Sequence, residues 1–307
     1  MKTGWNFAAL TGAVALCMVM LPALAPAGGD DDTRPNGKGA RTLLNPGNGN
    51  ANGQGKGGGP SGGGGNGISY HGGQVMLGTV HVYYIWYGNW SASPKTILTD
   101  FATNIGGSPY YRINTTYYDG SNLHVSDAAY MGATTDNYSL GTTLRDTDIQ
   151  TIVSSAIATG ALPKDNNGAY FVLTSSDVAE SSGFCTQYCG WHTYGTIIGT
   201  NIKYAFVGNA DRCPSACAAQ TTSPNGNAGA DAMASVIAHE LEEMATDPNL
   251  NAWYDTRGYE NADKCAWTFG TTYTANGALA NMKLGTRDFL IQRNWVNASG
   301  GYCALSY

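Results

Sequence analysis

Apolar positions along the chain fall into three regimes. From Phe7 to about Leu24 they run almost unbroken, preceded by Lys2 and followed by Ala23-Leu24-Ala25-Pro26-Ala27. A short positive start, an apolar stretch and small-x-small sites predict a secretory signal segment over residues 1–27, with cleavage after Ala27. Between residues 28 and 67 the apolar pattern stops, and sixteen of the positions are glycine with Asn, Pro and Asp among the rest. Such a stretch cannot bury enough apolar area to offset its ordering entropy, so it reads as a flexible tether. From residue 68 to 307 the pattern becomes periodic, as one domain of about 240 residues would require. No later run is long and apolar enough to span a bilayer, so no transmembrane anchor is expected once the signal is removed.

Within the domain, two periods alternate. Val80-His81-Val82-Tyr83-Tyr84-Ile85-Trp86 is β-branched and aromatic and predicts a strand. Ser93-Pro94 then offers a cap and a proline at a first helical position. Ile97, Leu98, Phe101 and Ile105 follow at helical spacing, with Gly106 as a stop. Tyr110–Tyr118 reads as a strand. A second helix is predicted over 147–158 with Asp146 as its cap, and a third over 231–246 ended by Pro248. Strands are predicted at 169–173, within 197–207 and at 289–296. Strands alternating with helices imply an α/β (α+β layered) single domain with a mixed sheet.

Composition narrows the function classes. Charged residues make up 12% of the chain and the formal charge is -6, which leaves no cationic surface for nucleic acid. Seven cysteines are present. Cys17 leaves with the signal, and the remaining six are Cys185, Cys189, Cys213, Cys217, Cys265 and Cys303. An even number in an exported chain implies disulfides. The economical pairing is 185–189, 213–217 and 265–303.

The third helix carries the candidate chemistry: Ser235-Val-Ile-Ala-His239-Glu240-Leu241-Glu242-Glu243-Met244. With about 100° per residue and His239 at zero, Glu243 falls at about 40° and Glu240 at about 100°, while the apolar stripe covers about 60° to 200°. Glu242, at about 300°, is expected to be solvated. Buried carboxylates are costly unless paired or bound to a cation. A metal answers that cost: His239 and Glu243 reach one ion, and Glu240 faces its open position as general base. The layout is that of H-E-x-x-H zinc hydrolases, with Glu243 in place of the second His, and makes this a zincin-like active-site helix. Zinc is the expected ion, although a His-plus-carboxylate set suits other divalent ions. For a third ligand the chain offers Glu260 and Asp263, 17 and 20 residues after Glu243. Thermolysin-like enzymes place a Glu about twenty residues downstream, so Asp263 fits by spacing and Glu260 by residue type. One can ligate while the other orients His239. His192 and Asp247 are additional candidates.

At these residues the chain resembles the EXORDIUM or phosphate-induced protein 1 family of secreted plant proteins and their microbial relatives. The matching pieces are Tyr70-His71-Gly-Gly, Val82-Tyr-Tyr-Ile-Trp-Tyr-Gly88, Val172-Leu-Thr-Ser-Ser-Asp177, Phe184-Cys-x3-Cys-Gly-Trp-His192 and Tyr204-Ala-Phe-Val-Gly-Asn209. They continue through Cys213-Pro-x2-Cys217, Ser223-Pro-Asn-Gly226, Ser235-Val-Ile-Ala-His-Glu240, the acidic run ending at Cys265, and Tyr302-Cys303. The resemblance implies an extracellular or cell-wall location and, in plants, a link to growth and nutrient response. It supplies no established reaction. A peptide or a cell-wall glycan is the expected partner, and a monomer is expected. Trp86, Tyr87 and Trp90 are the best candidates for a sugar-stacking platform, although core or turn packing is the favoured reading for each of them.

Overall fold

The computed structural model describes residues 1–2, 34–38 and 67–307. Residues 3–27 of the expected signal segment and most of the expected tether lie outside the described residues. The core of the domain is a five-stranded mixed sheet. Its strands are β1 (Gly78–Tyr87), β2 (Val125–Asp136), β3 (Gly168–Thr174), β4 (Gly190–Ile197) and β5 (Thr200–Val207). They lie in the order β2-β1-β3-β5-β4. Four are parallel, and β4 closes one edge antiparallel to β5. The central strand β3 is buried at every position, as expected for a strand covered on both faces.

Three helices complete the layers: α1 (Ala92–Ile105), α2 (Asp146–Ala158) and α3 (Ala228–Thr246). Strand β4 shows how they are distributed. Side chains alternate across a strand. A Cβ on Gly190 would meet Val236 and Glu240 of α3, whereas a Cβ on Gly195 would meet Gln150 of α2. The two helices therefore cover opposite faces, and α1 packs beside α3. His192 shares the parity of Gly190, so it faces α3.

Several boundaries differ from the sequence reading. Helix α2 has Arg145 at its cap position, and the Arg145 amide donates to Asp148 Oδ2 at 2.8 Å. Asp146 instead opens the helix and binds Lys38. Helix α3 begins earlier than expected because Asn227 caps it, accepting from the Ala230 amide at 2.8 Å. Tyr110–Tyr118 is not a strand: Tyr111–Thr116 forms a 3-10 helix. Local bonds decide this, since Thr115 and Thr116 hydroxyls donate back to the carbonyls of Arg112 and Ile113, overriding the β preference of the aromatic residues. The strand expected at 289–296 is two short ones, Arg287–Phe289 and Asn294–Val296, in separate hairpins. Between them, the Gln292 amide donates to Ser235 Oγ of α3.

Three disulfides staple the domain: Cys185–Cys213, Cys189–Cys217 and Cys265–Cys303. The last is as read from the sequence, and the first two correct the expected 185–189 and 213–217 pairing. Cysteines four apart in a turn leave it side by side, so they point at a common partner surface and not at each other. Cys213 and Cys217 sulfurs lie 3.7 Å apart yet each bonds across to the segment leading into β4. The two bridges form parallel rungs that tie this segment to the loop before α3. No helix among the described residues is long and apolar enough to cross a membrane.

Candidate metal centre

Helix α3 is buried along nearly its whole length, which brings five ionisable groups into the interior: Asp231, His239, Glu240, Glu242 and Glu243. Gly190 makes the approach possible, because any Cβ there would stand 2.6 Å from Val236 Cγ1 and 3.0 Å from Glu240 Oε1. Strand β4 thus lies close over the helix and lowers His192 onto it. On the other side, the segment Asp263–Cys265 forms a turn of 3-10 helix anchored by the Cys265–Cys303 bridge.

Two groups of donors result, and they meet at Glu243. In the first, His239 Nε2 lies 3.0 Å from Glu243 Oε1 and 3.5 Å from Asp263 Oδ1. The Asp263 amide donates to Glu243 Oε1 at 3.1 Å, and Asp263 Oδ2 accepts from the Glu260 amide at 3.2 Å. In the second, His192 Nδ1 lies 3.5 Å from both Glu240 Oε2 and Glu243 Oε2. Its Nε2 lies 3.5 Å from Glu260 Oε1. Each triad, His239–Glu243–Asp263 and His192–Glu240–Glu243, offers one donor atom per residue within 4.8 Å of the others. The contest between Asp263 and Glu260 thus separates in space: Asp263 stands with His239, and Glu260 stands behind His192.

Hydrogen bonding leaves this interior unsatisfied. Both ring nitrogens of His192 and of His239, both oxygens of Glu240, Glu243 Oε2 and Glu260 Oε1 are buried without a partner in hydrogen-bond geometry. Buried polar groups are normally paired. A separation of 3.5 Å is long for a hydrogen bond. It matches the donor-to-donor edge of about 3.4 Å that tetrahedral zinc with bonds of roughly 2.1 Å would impose.

Protonation reflects the same crowding. Burial opposes charge on His192, yet the Glu240 and Glu243 carboxylates beside it raise its pKa to about 10. His239 is likewise lifted well above its ordinary value against burial, chiefly by Glu243. Burial pushes Glu240 up to about 7 and Asp263 up to about 6, and holds Glu260 well above the usual carboxylate range. Glu243 goes the other way: burial would raise it, but His239 and His192 bring it down to about 2.

The remaining candidates have other places. Asp247 Oδ1 accepts the Asn251 and Ala252 amides, both at 2.6 Å, and so shapes the turn that leaves α3. It belongs to neither triad. Glu242 is not solvated, as its helical angle suggested. It is fully buried, and Asn294 Nδ2 donates to its Oε2 at 2.5 Å. The C-terminal hairpins cover the side of α3 that a surface helix would leave open. Asn261, within the acidic run, donates to the Glu242 carbonyl at 3.2 Å and fixes that cover to the helix. Sequence reasoning assigned no role to Asn261 or Asn294, since an asparagine has no period to betray it. Trp86 and Tyr87 are buried and serve as packing, while the half-buried Trp90 donates to the Tyr87 carbonyl at 3.1 Å and packs edge-on against Trp86.

One segment reaches the centre from far away in sequence. Within the expected tether, residues 34–38 lie against β4, where the His192 amide donates to the Gly37 carbonyl at 2.9 Å. Lys38 Nζ binds Asp146 at 2.5 Å and Ser182 Oγ at 2.9 Å, and it lies over the rings of Tyr188 and Trp191.

Comparison with known proteins places this geometry in context. The model of the phosphate-induced protein 1 conserved region matches residues 68–286. Protein EXORDIUM-like 3 of Arabidopsis thaliana is 33% identical over 278 residues, covering 77% of this chain and 82% of that protein. Protein PHOSPHATE-INDUCED 1 of Nicotiana tabacum is 30% identical over 217 residues, covering 61% of this chain and 67% of its own length. Protein EXORDIUM of Arabidopsis thaliana is 29% identical over 231 residues, with 64% and 70% covered. No solved structure matches.

Proposed function

The chain belongs to the phosphate-induced protein 1 family, and on that footing we propose that it is a secreted, divalent-metal-dependent hydrolase of peptidase-like type. The observation that carries the reading is the buried His239–Glu243–Asp263 triad, whose donor atoms face one another without hydrogen-bond partners for the imidazole. Three disulfides support export to an oxidising compartment.

In this reading His239 Nε2, Glu243 Oε1 and Asp263 Oδ1 hold the ion, with zinc the preferred occupant. The ion would acidify water and polarise a carbonyl. Glu240, one residue beyond His239 on the zincin-like helix, accepts the proton of the attacking water. Its carboxylate lies beside the first triad, 3.5 Å from His192 Nδ1, where a general base would be needed. Glu260 orients His192.

The test is hydrolysis of unfolded protein or peptide libraries by purified enzyme. Turnover abolished by chelation, restored by zinc and lost in Glu240→Gln supports the assignment. Turnover that survives chelation ends it.

A second reading has its own observation: His239, Glu240, Glu243 and Glu260 are all 2% exposed or less. A sealed cluster fits a non-catalytic extracellular protein that binds a wall glycan or a receptor, with the His and carboxylates holding the fold together. Metal content without any turnover, together with glycan retention unaffected by His239→Ala, favours this reading.

A further inference from the structure

We propose that the centre is built for two divalent cations bridged by Glu243, the second held by His192, Glu240 and Glu243. The inference deepens the reading above and rests on it only in that Glu243 serves the first ion.

Three observations lead there. The first is the division of Glu243. Its Oε1 faces His239 and its Oε2 faces His192. A carboxylate aimed in two directions at two imidazoles is a bridging ligand in form. The second is the orphaned set. His192 and Glu240 are buried and have no hydrogen-bond partner at either ring nitrogen or either carboxylate oxygen. A single ion at His239 would leave all four atoms unsatisfied. The distances from His192 Nδ1 to Glu240 Oε2 and to Glu243 Oε2 are both 3.5 Å, long for hydrogen bonds and apt for two donors on one ion. The third is charge. Glu240, Glu243, Glu260 and Asp263 carry four negative charges when ionised, against two imidazoles that must be neutral to ligate. Among the described residues, no lysine or arginine pairs with any of the four. With all four ionised, one divalent ion leaves a surplus of two negative charges in a closed interior. Two ions cancel it.

The second site has its own supporting partner. With His192 Nδ1 on the ion, Nε2 carries the proton and faces Glu260 Oε1, the arrangement by which a carboxylate fixes the tautomer of a ligating imidazole. Glu240 then becomes a ligand, and its role as a free base belongs to the one-ion form.

The experiment is metal titration of the chelator-treated full chain with Zn2+, read by calorimetry and by elemental analysis after desalting. Two equivalents are expected for the wild type, one for His192→Ala, and none retained by Glu243→Ala. Glu240→Gln preserves shape and should also retain one, which guards against misfolding in the alanine variants. Loading with Mn2+ adds a spectroscopic reading: a bridged pair gives an exchange-coupled resonance that reverts to an isolated six-line signal in His192→Ala. One equivalent in the wild type, unchanged by His192→Ala, overturns the second site and leaves the first standing. No retained metal overturns both.

Discussion

Asn294 Nδ2 donates to Glu242 Oε2 at 2.5 Å in an environment where both residues are fully buried. Burial pushes the Glu242 carboxyl well above its ordinary value, which favours the neutral form that an amide can imitate. Glu242→Gln should therefore cost less than about 1 kcal/mol, while Glu242→Ala, which orphans the Asn294 amide and opens a cavity, should cost about 2–4 kcal/mol. Urea denaturation measures both. Bound metal should be unchanged in either, because Glu242 belongs to neither triad. Equal losses in the two variants would contradict the expectation that an amide can imitate this carboxyl.

The crossed disulfides make a prediction that needs no variant. Trypsin cuts after Lys164, Lys203 and Arg212, placing Cys185 and Cys189 on one peptide and Cys213 and Cys217 on another. Under non-reducing conditions the two peptides should migrate as one covalent species and separate on reduction. Separate peptides before reduction would restore the local pairing. Replacing Cys185 and Cys213 together by serine should cost about 3 kcal/mol, the value expected for a loop of some tens of residues.

What could be read ahead of the structure follows the range of the forces involved. His239, Glu240 and Glu243 were legible because helical spacing is local: residues one and four apart have fixed relations whatever else the chain does. The strands β1 and β3 were legible because burial on both faces demands continuous apolar runs. His192 could be only an added candidate, since its place opposite Glu240 depends on the pairing of β4 with β5 and on Gly190 letting that strand close down on α3. Glu242 was misplaced for the same reason in reverse. An amphipathic reading assumes a wet side, and here the hairpins after residue 270 remove it. The disulfide crossing was hidden because the two C-x3-C turns have no sequence relation until the sheet brings them together. Strand β2 went unseen, since an edge strand with alternate residues partly exposed needs few apolar residues.

The metal-free protein should lose stability as pH rises from 5 to 9. A group with a folded pKa above its unfolded one binds protons more tightly when folded, so stability falls as pH climbs between the two values. Asp263 and Asp247 are each raised by burial to about 6 and Glu240 to about 7. His192, raised to about 10 by its carboxylates against burial, acts in the same direction at higher pH. Glu243, lowered to about 2, has the opposite sign, but only below the ordinary carboxylate range. Thermal melting of chelated protein should thus fall by several degrees between pH 5.5 and 8, and zinc should restore it most at pH 8, where the carboxylates bind without proton competition. A chelated protein that is more stable at pH 8 than at pH 5.5 would contradict the burial of these acids.

The contact between Gly37 and His192 can be broken by a single methyl group. Gly37 has a φ of 70°, and a Cβ there would lie 1.8 Å from the His192 carbonyl oxygen. Backbone cannot give way over that distance, and the left-handed conformation itself disfavours a side chain. Gly37→Ala should detach residues 34–38 from the edge of β4 and leave the outward amide of His192 without its acceptor. Two readouts follow. Arg34 precedes a proline, which leaves Lys38 as the tryptic site in this stretch, and it is held by Asp146 and Ser182 in the wild type. Cleavage after Lys38 should accelerate by about tenfold or more, and exchange of the His192 amide should accelerate with it. Asp146→Asn supplies the control, since it loosens Lys38 while leaving the Gly37 carbonyl in place: cleavage should rise, and His192 exchange should not. If Gly37→Ala changes neither rate, the segment does not rest on β4 in solution, and the edge strand that carries His192 is free.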